Sequence, residues 1–227
     1  MLQLQRCVLL NRVPIEILQR PMQTHGTDEK VPREAERVLM SIHVSYDLEA
    51  LGEEYGAVII AIGACKFDPR GRGPVGPTFY TNVSAASHQN LGGRIDARTV
   101  MWWLKQENAA RAALTSPPPV ELRDALNAYS KWYKGATDDA PPDVMWSHLY
   151  DIQLLRAAFL LCRISLPWGA REWGDLHTLF RLAGWSNESC KKFRDEAAAR
   201  VGGVKHNALD DAVRQAHMIQ DAYTTLT

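Results

Sequence analysis

The chain has 227 residues, enough for one domain with a sizeable core that needs neither disulfides nor a structural metal. Its 26 basic and 26 acidic residues balance, so the net charge indicates neither nucleic acid nor a membrane surface as partner, and any phosphate site must be local. No apolar run reaches the roughly 18 residues of a transmembrane helix. The four cysteines form no CxxC pair, which argues against zinc and indicates reduced thiols in a cytoplasmic protein.

The N-terminal part differs from the rest of the chain. Its stretch QTHGTDEKVPREAER is polar, lacks a clear period and offers little that could be buried. We therefore expect residues 1–39 to form a poorly ordered extension and residues 40–227 to form the globular domain.

Three strands open the domain, in the segments SIHVSYDLE, AVIIAIGACKFD and PTFYTNV. Glycine and proline clusters supply the short turns between them, which predicts an antiparallel meander. Two helices follow, one in ARTVMWWLKQENAARAAL with Asp96 as its N-cap, the other in VELRDALNAYSKWYK. The helical spacing predicts that Trp103 belongs to the core. For Trp102 two alternatives remain, a core residue or a residue that stacks on a base.

The second half alternates between strands and helices. DVMWSHL indicates a short buried strand, DIQLLRAAFLLCRI a helix, and a last helix begins near Asn207 after the turn at Gly202 and Gly203. A meander followed by such an alternation predicts an α/β fold, with a mixed β-sheet of antiparallel and parallel strands flanked by α-helices.

Asp47 and Glu49 form a D-x-E pair at the end of the first strand. Side chains two residues apart in a strand project to the same side, about 7 Å apart along the chain. Two carboxylates this close repel unless a cation lies between them, and their hard oxygens suit Mg²⁺ or Mn²⁺. The alternative is an ordinary exposed strand edge before a turn.

His206 precedes the last helix in KHNALDDAVRQAHMI. Asn207 can cap this helix, and Asp210 at its third position completes an approximate capping box, which leaves Asp211 free for another role. The alternatives are structural: Asp211 as a favourable charge in the first helical turn, and His206 as a polar residue bonded to the backbone. Asp151, at a predicted strand–helix junction, could likewise be an ordinary N-cap.

The combination resembles the DEDDh 3′→5′ exonucleases. The family signature of D-x-E, a middle Asp after an aromatic residue and a late H-x4-D is matched by Asp47, Glu49, Asp151, and His206 with Asp211. The segments YDLEALG, GAVIIAIGACKFD, FYTNV, GGRIDARTVMWWL and GVKHNALDDA are similar to the bacterial and phage branch of exonuclease A-type and exoribonuclease-like proteins. This resemblance covers roughly residues 41 to 222 and implies a ribonuclease H-like fold.

The resemblance implies a two-metal hydrolysis that releases nucleoside 5′-monophosphates from the 3′ end of single-stranded DNA or RNA. Asp47, Glu49, Asp151 and Asp211 would hold two Mg²⁺ or Mn²⁺ ions, and His206 would be the general base and contact the substrate. Leu51 would wedge against the terminal base. Basic residues before the last helix could line the approach of the substrate or form a solvated face: Lys191, Lys192, Arg194, Arg200 and Lys205.

A second hypothesis is a non-catalytic module of the same fold that binds nucleic acid or a protein partner. The feature that favours it is the SHLY segment before Asp151, which is shorter than the family's glycine-containing SHGATF-like segment. A ribonuclease H-like endonuclease is disfavoured by His206 at the exonuclease position. The sequence leaves open the choice between DNA and RNA and the oligomeric state, a homodimer included.

Overall fold

A computed structural model describes residues 41–71, 75–135 and 142–226. The expected N-terminal extension, residues 1–39, lies outside the described residues. In chain order, the strands are β1 (His43–Ala50), β2 (Ile59–Phe67), β3 (Thr78–Asn82), β4 (Val144–Ser147) and β5 (Trp173–Asp175). The described helices are α1 (Ala85–Asn90), α2 (Ala97–Trp103), α3 (Asn108–Ala113), α4 (Leu122–Lys134), α5 (Leu149–Leu161), α6 (Leu176–Leu182), α7 (Asn187–Val201) and α8 (Ala208–Leu226).

The five strands form one mixed sheet in the order β3-β2-β1-β4-β5. β1, β2 and β3 pair antiparallel as the predicted meander, whereas β4 pairs parallel with β1 and with β5. Helices cover both faces, so the predicted α/β class with a mixed sheet is confirmed. None of the helices in the described part of the chain is long and apolar enough to span a membrane.

The alternation of β1 separates the core from the polar face. Val44, Tyr46 and Leu48 are buried in one cluster with residues of α4 and α5. The intervening residues of β1, Asp47 and Glu49 among them, face the side where α8 packs. On that side a second apolar cluster joins β2 to α6, α7 and α8. β1 therefore buries apolar residues on one face and presents carboxylates on the other.

A close approach at Gly63 brings α8 onto the sheet. Gly63 pairs with Asp47 across β1 and β2. A Cβ atom at Gly63 would lie 2.2 Å from the backbone carbonyl carbon of Ala208 at the start of α8. Because only glycine leaves room for the helix backbone there, this residue fixes the start of α8 directly over the acidic end of β1.

The helical predictions need two corrections. Asp96 does cap its helix, since its carboxylate accepts the backbone N–H of Arg98 at 2.7 Å, and Trp103 is buried as expected. The predicted helix over residues 97–114, however, is interrupted between α2 and α3. The helix predicted to begin at Asp151 begins two residues earlier, at Leu149, which places Asp151 in its first turn rather than at its cap.

Candidate active site

The two carboxylates of β1 lie in a cleft of about 380 Å³, over the face of the sheet where α8 packs. Glu49 is only 8% exposed, and its Oε1 atom has no hydrogen-bond partner among the described residues. Asp47 accepts a hydrogen bond from the side-chain amide of Gln215 at 2.7 Å. The register of β1 against β2 shifts between Glu49 and Ala50, so the regular strand ends directly after the D-x-E pair.

Asp151 reaches the same region from the start of α5. Parallel pairing of β4 with β1 brings the end of β4 beside β1, and α5 begins two residues after β4 ends. Asp151 is buried, and its carboxylate accepts the hydroxyl of Ser147 at 2.8 Å. Burial raises the pKa of both Asp47 and Glu49, and the charge of Asp151 adds to this effect. The segment SHLY thus leaves the carboxylate within electrostatic range of the D-x-E pair.

The start of α8 supplies His206 and Asp211. Asn207 caps the helix as predicted, its side-chain oxygen accepting the N–H groups of Leu209 and Asp210 at 3.0 and 3.2 Å. The capping-box prediction for Asp210 is wrong, because its carboxylate instead accepts the N–H of Val204 at 2.7 Å.

Asp211 is not a freely solvated charge of the first helical turn. Its Oδ2 accepts the backbone N–H of His206 at 2.9 Å, and its Oδ1 pairs with Arg214. These contacts therefore hold both the backbone of His206 and the Asp211 carboxylate in place.

Three of these side chains converge closely. One ligand atom from each of Glu49, His206 and Asp211 lies within 4.8 Å of the others. Asp47 lines the same cleft. The structure thus brings together residues of β1 and of the start of α8 that are far apart in the chain, whereas Asp151 of α5 is not among the residues that line the cleft.

The pKa values of the acids reflect this crowding. Burial, followed by the charges of Asp211 and Asp151, raises the pKa of Glu49 to about 8. Burial raises the pKa of Asp151 to about 7 against the opposing effect of the Ser147 hydrogen bond. For Asp47, burial and then the charge of Asp151 raise the pKa well above its usual range. Carboxylates that repel each other in this way favour a cation among them.

The donor set fits a hard divalent cation. The unpartnered Oε1 of Glu49 is an acceptor without a protein donor, as expected of an oxygen that faces an ion. Carboxylate oxygens from several elements are the ligands that Mg²⁺ and Mn²⁺ prefer. Ligand atoms of Glu49, His206 and Asp211 lie close enough together to hold a metal ion in the cleft, which Asp47 also lines.

The family model of the 3′–5′ exoribonuclease Rv2179c-like domain matches residues 42–223. The match covers most of the chain and includes every residue discussed above. The chain belongs to the Rv2179c-like exoribonuclease family. A crystal structure of a full-length 3′-exonuclease is similar in fold, with a TM-score of 0.54, 11% identity and coverage of 82% of each chain. No curated protein sequence matches the chain.

These findings confirm the expected resemblance. The Rv2179c-like domain is a 3′–5′ exonuclease of the ribonuclease H-like superfamily. The mixed sheet with helices on both faces agrees with the fold similarity to the exonuclease structure.

The cleft also has basic side chains. His148, His177, Arg194 and Lys205 line it, and the rings of His148 and His177 lie 4.9 Å apart. Burial lowers the pKa of His148, with smaller contributions from His177 and Arg194 in the same direction. Of the basic residues named from the sequence, only Arg194 and Lys205 reach the cleft.

Leu51 and Trp102 flank the start of α8. Leu51 is half-buried against an apolar cluster with Val58, Ile60 and Trp103. Trp102 is 42% exposed, and its ring meets that of His206 edge to face at 4.8 Å. Trp102 therefore lies outside the core and beside the cleft, which resolves the question that the sequence left open.

Sequence reasoning missed several polar residues of this site, among them two that form hydrogen bonds with Asp47 and Asp151. Gln215 is 9% exposed, donates to Asp47 and has a buried Oε1 with no partner among the described residues. In the structure the amide nitrogen faces Asp47 and the oxygen faces away from it. Ser147 is buried and holds Asp151. Neither residue forms part of a short motif, and only the fold places them at the acids.

Proposed function

We propose that this Rv2179c-like domain hydrolyses the terminal phosphodiester bond at the 3′ end of single-stranded DNA or RNA with two Mg²⁺ or Mn²⁺ ions and releases nucleoside 5′-monophosphates. The observation that carries the proposal is the convergence of Glu49, His206 and Asp211 ligand atoms within 4.8 Å in a cleft that Asp47 also lines. Acids with raised pKa values in a cleft are typical of catalytic sites.

Each acid has a distinct proposed role. Asp47 would help to hold both ions, since it lines the cleft with Glu49 and Asp211, and since burial and then the charge of Asp151 raise its pKa. Glu49 and Asp211 would hold the ion on the side of the attacking water, and Asp151 would hold the other ion. Bound ions of this kind neutralise charge on the phosphate and lower the pKa of a water molecule.

His206 is the proposed general base. Burial lowers the pKa of His206, with the charge of Asp211 acting in the opposite direction. A lowered pKa keeps the imidazole neutral near pH 7, so that a ring nitrogen can accept the proton of the attacking water. The hydrogen bond from its backbone to Asp211 holds the ring beside the acids.

Substrate contacts would come from the basic side chains of the cleft and from an apolar residue at its rim, Leu51. His148, His177, Arg194 and Lys205 supply donors for phosphate oxygens. Leu51 would wedge against the terminal base at the rim.

Cys65, Cys162 and Cys190 are free thiols, which supports a reducing compartment such as the cytoplasm.

The deciding experiment uses oligonucleotides of RNA and of DNA labelled at the 5′ end. Purified protein is incubated with Mg²⁺, with Mn²⁺ or with chelator, next to Asp47→Asn and to Asp195→Asn. Asp195 is exposed on α7 and pairs with Lys191, so its variant controls for the loss of an acid elsewhere. We expect a ladder that shortens from the 3′ end, requires metal, persists in Asp195→Asn and is absent in Asp47→Asn. Binding without cleavage would instead favour the non-catalytic module.

A further inference from the structure

Arg214 is a buried cation next to the proposed metal site. It lies one turn along α8 from Asp211 and is only 7% exposed. A buried guanidinium is costly unless its donors are satisfied. Here Nε donates to Asp211 at 3.0 Å, and one terminal nitrogen donates to the same carboxylate oxygen. Arg214 is therefore held by the acid that also accepts the N–H of His206.

The remaining donors of Arg214 hold the loop that carries His206. Its two terminal nitrogens donate to the carbonyl oxygens of Gly202 at 3.2 Å and Val204 at 3.3 Å. One planar side chain thus joins α8, an acid of the site and the loop before His206.

The loop needs such support because of its backbone conformation. Gly202, Gly203 and His206 all have positive φ angles, of 69°, 87° and 63°. For a non-glycine residue such as His206, this left-handed conformation is unfavourable and persists only where the surroundings enforce it. The surroundings here are two hydrogen bonds, from Val204 N–H to Asp210 and from His206 N–H to Asp211.

We propose that Arg214 is a positioning residue that fixes the Asp211 carboxylate and the His206 loop as one unit, an inference that rests on the proposed exonuclease function. Its planar fork reaches the carboxylate and two carbonyl oxygens together, which a lysine ammonium on a flexible stem cannot reproduce. Arg214 itself takes no part in the chemistry.

The test compares Arg214→Lys and Arg214→Gln with the same substitutions at Arg200. Arg200 also pairs with an aspartate, Asp221 of α8, but this pair lies on the surface away from the cleft. Four readouts are needed: folding by circular dichroism, exchange protection of the Val204 and His206 amides, Mn²⁺ affinity by electron paramagnetic resonance, and kcat with KM.

For Arg214→Lys we expect a folded protein, lost protection of the His206 amide and a kcat lower by about 10- to 100-fold, the range typical of residues that orient metal ligands. KM should change less than kcat, and the Arg200 variants should match the wild type. Wild-type kcat, KM and amide protection in Arg214→Lys would overturn the proposal. Lost stability with unchanged kcat would also overturn it, since a merely structural role predicts that outcome.

The proposal can fail separately from the exonuclease function. If the wild type does not cleave, amide protection and Mn²⁺ affinity still report on Arg214. If both Arg214 variants unfold, the nuclear magnetic resonance signal of the wild-type Arg214 Nε–H decides. A slowly exchanging Nε–H with hindered rotation of the guanidinium supports the proposal, and behaviour like that of Arg200 refutes it.

Discussion

The raised pKa of Glu49 makes the stability of the metal-free protein depend on pH. Glu49 has an ordinary pKa of 4.5, which burial and the nearby acids raise to about 8 in the folded state. Between these values the folded protein keeps a proton that the unfolded chain has already lost. Since the folded state then binds more protons, its stability falls as pH rises through this window.

A Glu49 variant that cannot ionise isolates this acid from the histidines. Histidines with a lowered pKa give the opposite slope, and His43, whose pKa burial lowers to about 4, is the clearest case. Their contribution ends only about one pH unit above the ordinary histidine pKa, and it is the same in the wild type and in a Glu49 variant. Between pH 6.5 and 9 a carboxyl with a pKa of about 8 loses roughly 2 kcal/mol of stabilisation. For a domain of this size, that corresponds to a Tm lower by about 4–8 °C.

Thermal unfolding in chelator, followed by circular dichroism across this range, measures the effect. Glu49→Gln cannot ionise, so we expect a flatter decline of Tm with pH than in the wild type. Glu53→Gln, at an exposed acid nearby, should follow the wild type. Saturating Mn²⁺ should raise Tm most at high pH, where the acids are ionised. A Tm difference between the wild type and Glu49→Gln that stays constant from pH 6.5 to 9 in chelator would refute the reasoning that Glu49 is buried among like charges.

Three further predictions concern individual side chains. Asp211→Asn should abolish hydrolysis. Asp210→Asn keeps an oxygen for the Val204 N–H, so it should retain activity and lower the free energy of unfolding by only about 1 kcal/mol. Equal loss of activity in folded samples of both variants would show that the metal ligand is misassigned. His206→Asn tolerates the left-handed backbone and should retain Mn²⁺ affinity while kcat drops by about 10²- to 10⁴-fold; unchanged turnover would exclude His206 as the base. Gln215→Met should weaken Mn²⁺ binding by about 10- to 100-fold. Gln220→Met should not weaken it, because Gln220 is similarly buried on α8 but donates to Asp68. Equal Mn²⁺ affinities of these two variants would show that Gln215 does not belong to the metal site.

Local patterns predicted the parts of the fold that depend on neighbouring residues. The two-residue period of β1 predicted that Asp47 and Glu49 share a face, and the side-chain oxygens of Asp96 and Asn207 identified two helix starts. Elements with weak patterns were missed. α7 fully buries only Ala197, so it shows little apolar periodicity, and β5 has only three residues.

Residue types and the spacings within each segment identify the side chains with the chemistry for a metal site, because both are local properties of the chain. Whether these side chains meet depends on how the distant elements pack. Gly63 lets the backbone of α8 approach β1 closely, and parallel pairing of β4 with β1 brings Asp151 to the same end of the sheet. Gln215 and Asp47 are 168 residues apart in the chain, so their hydrogen bond arises only from the packing of the helix on the sheet.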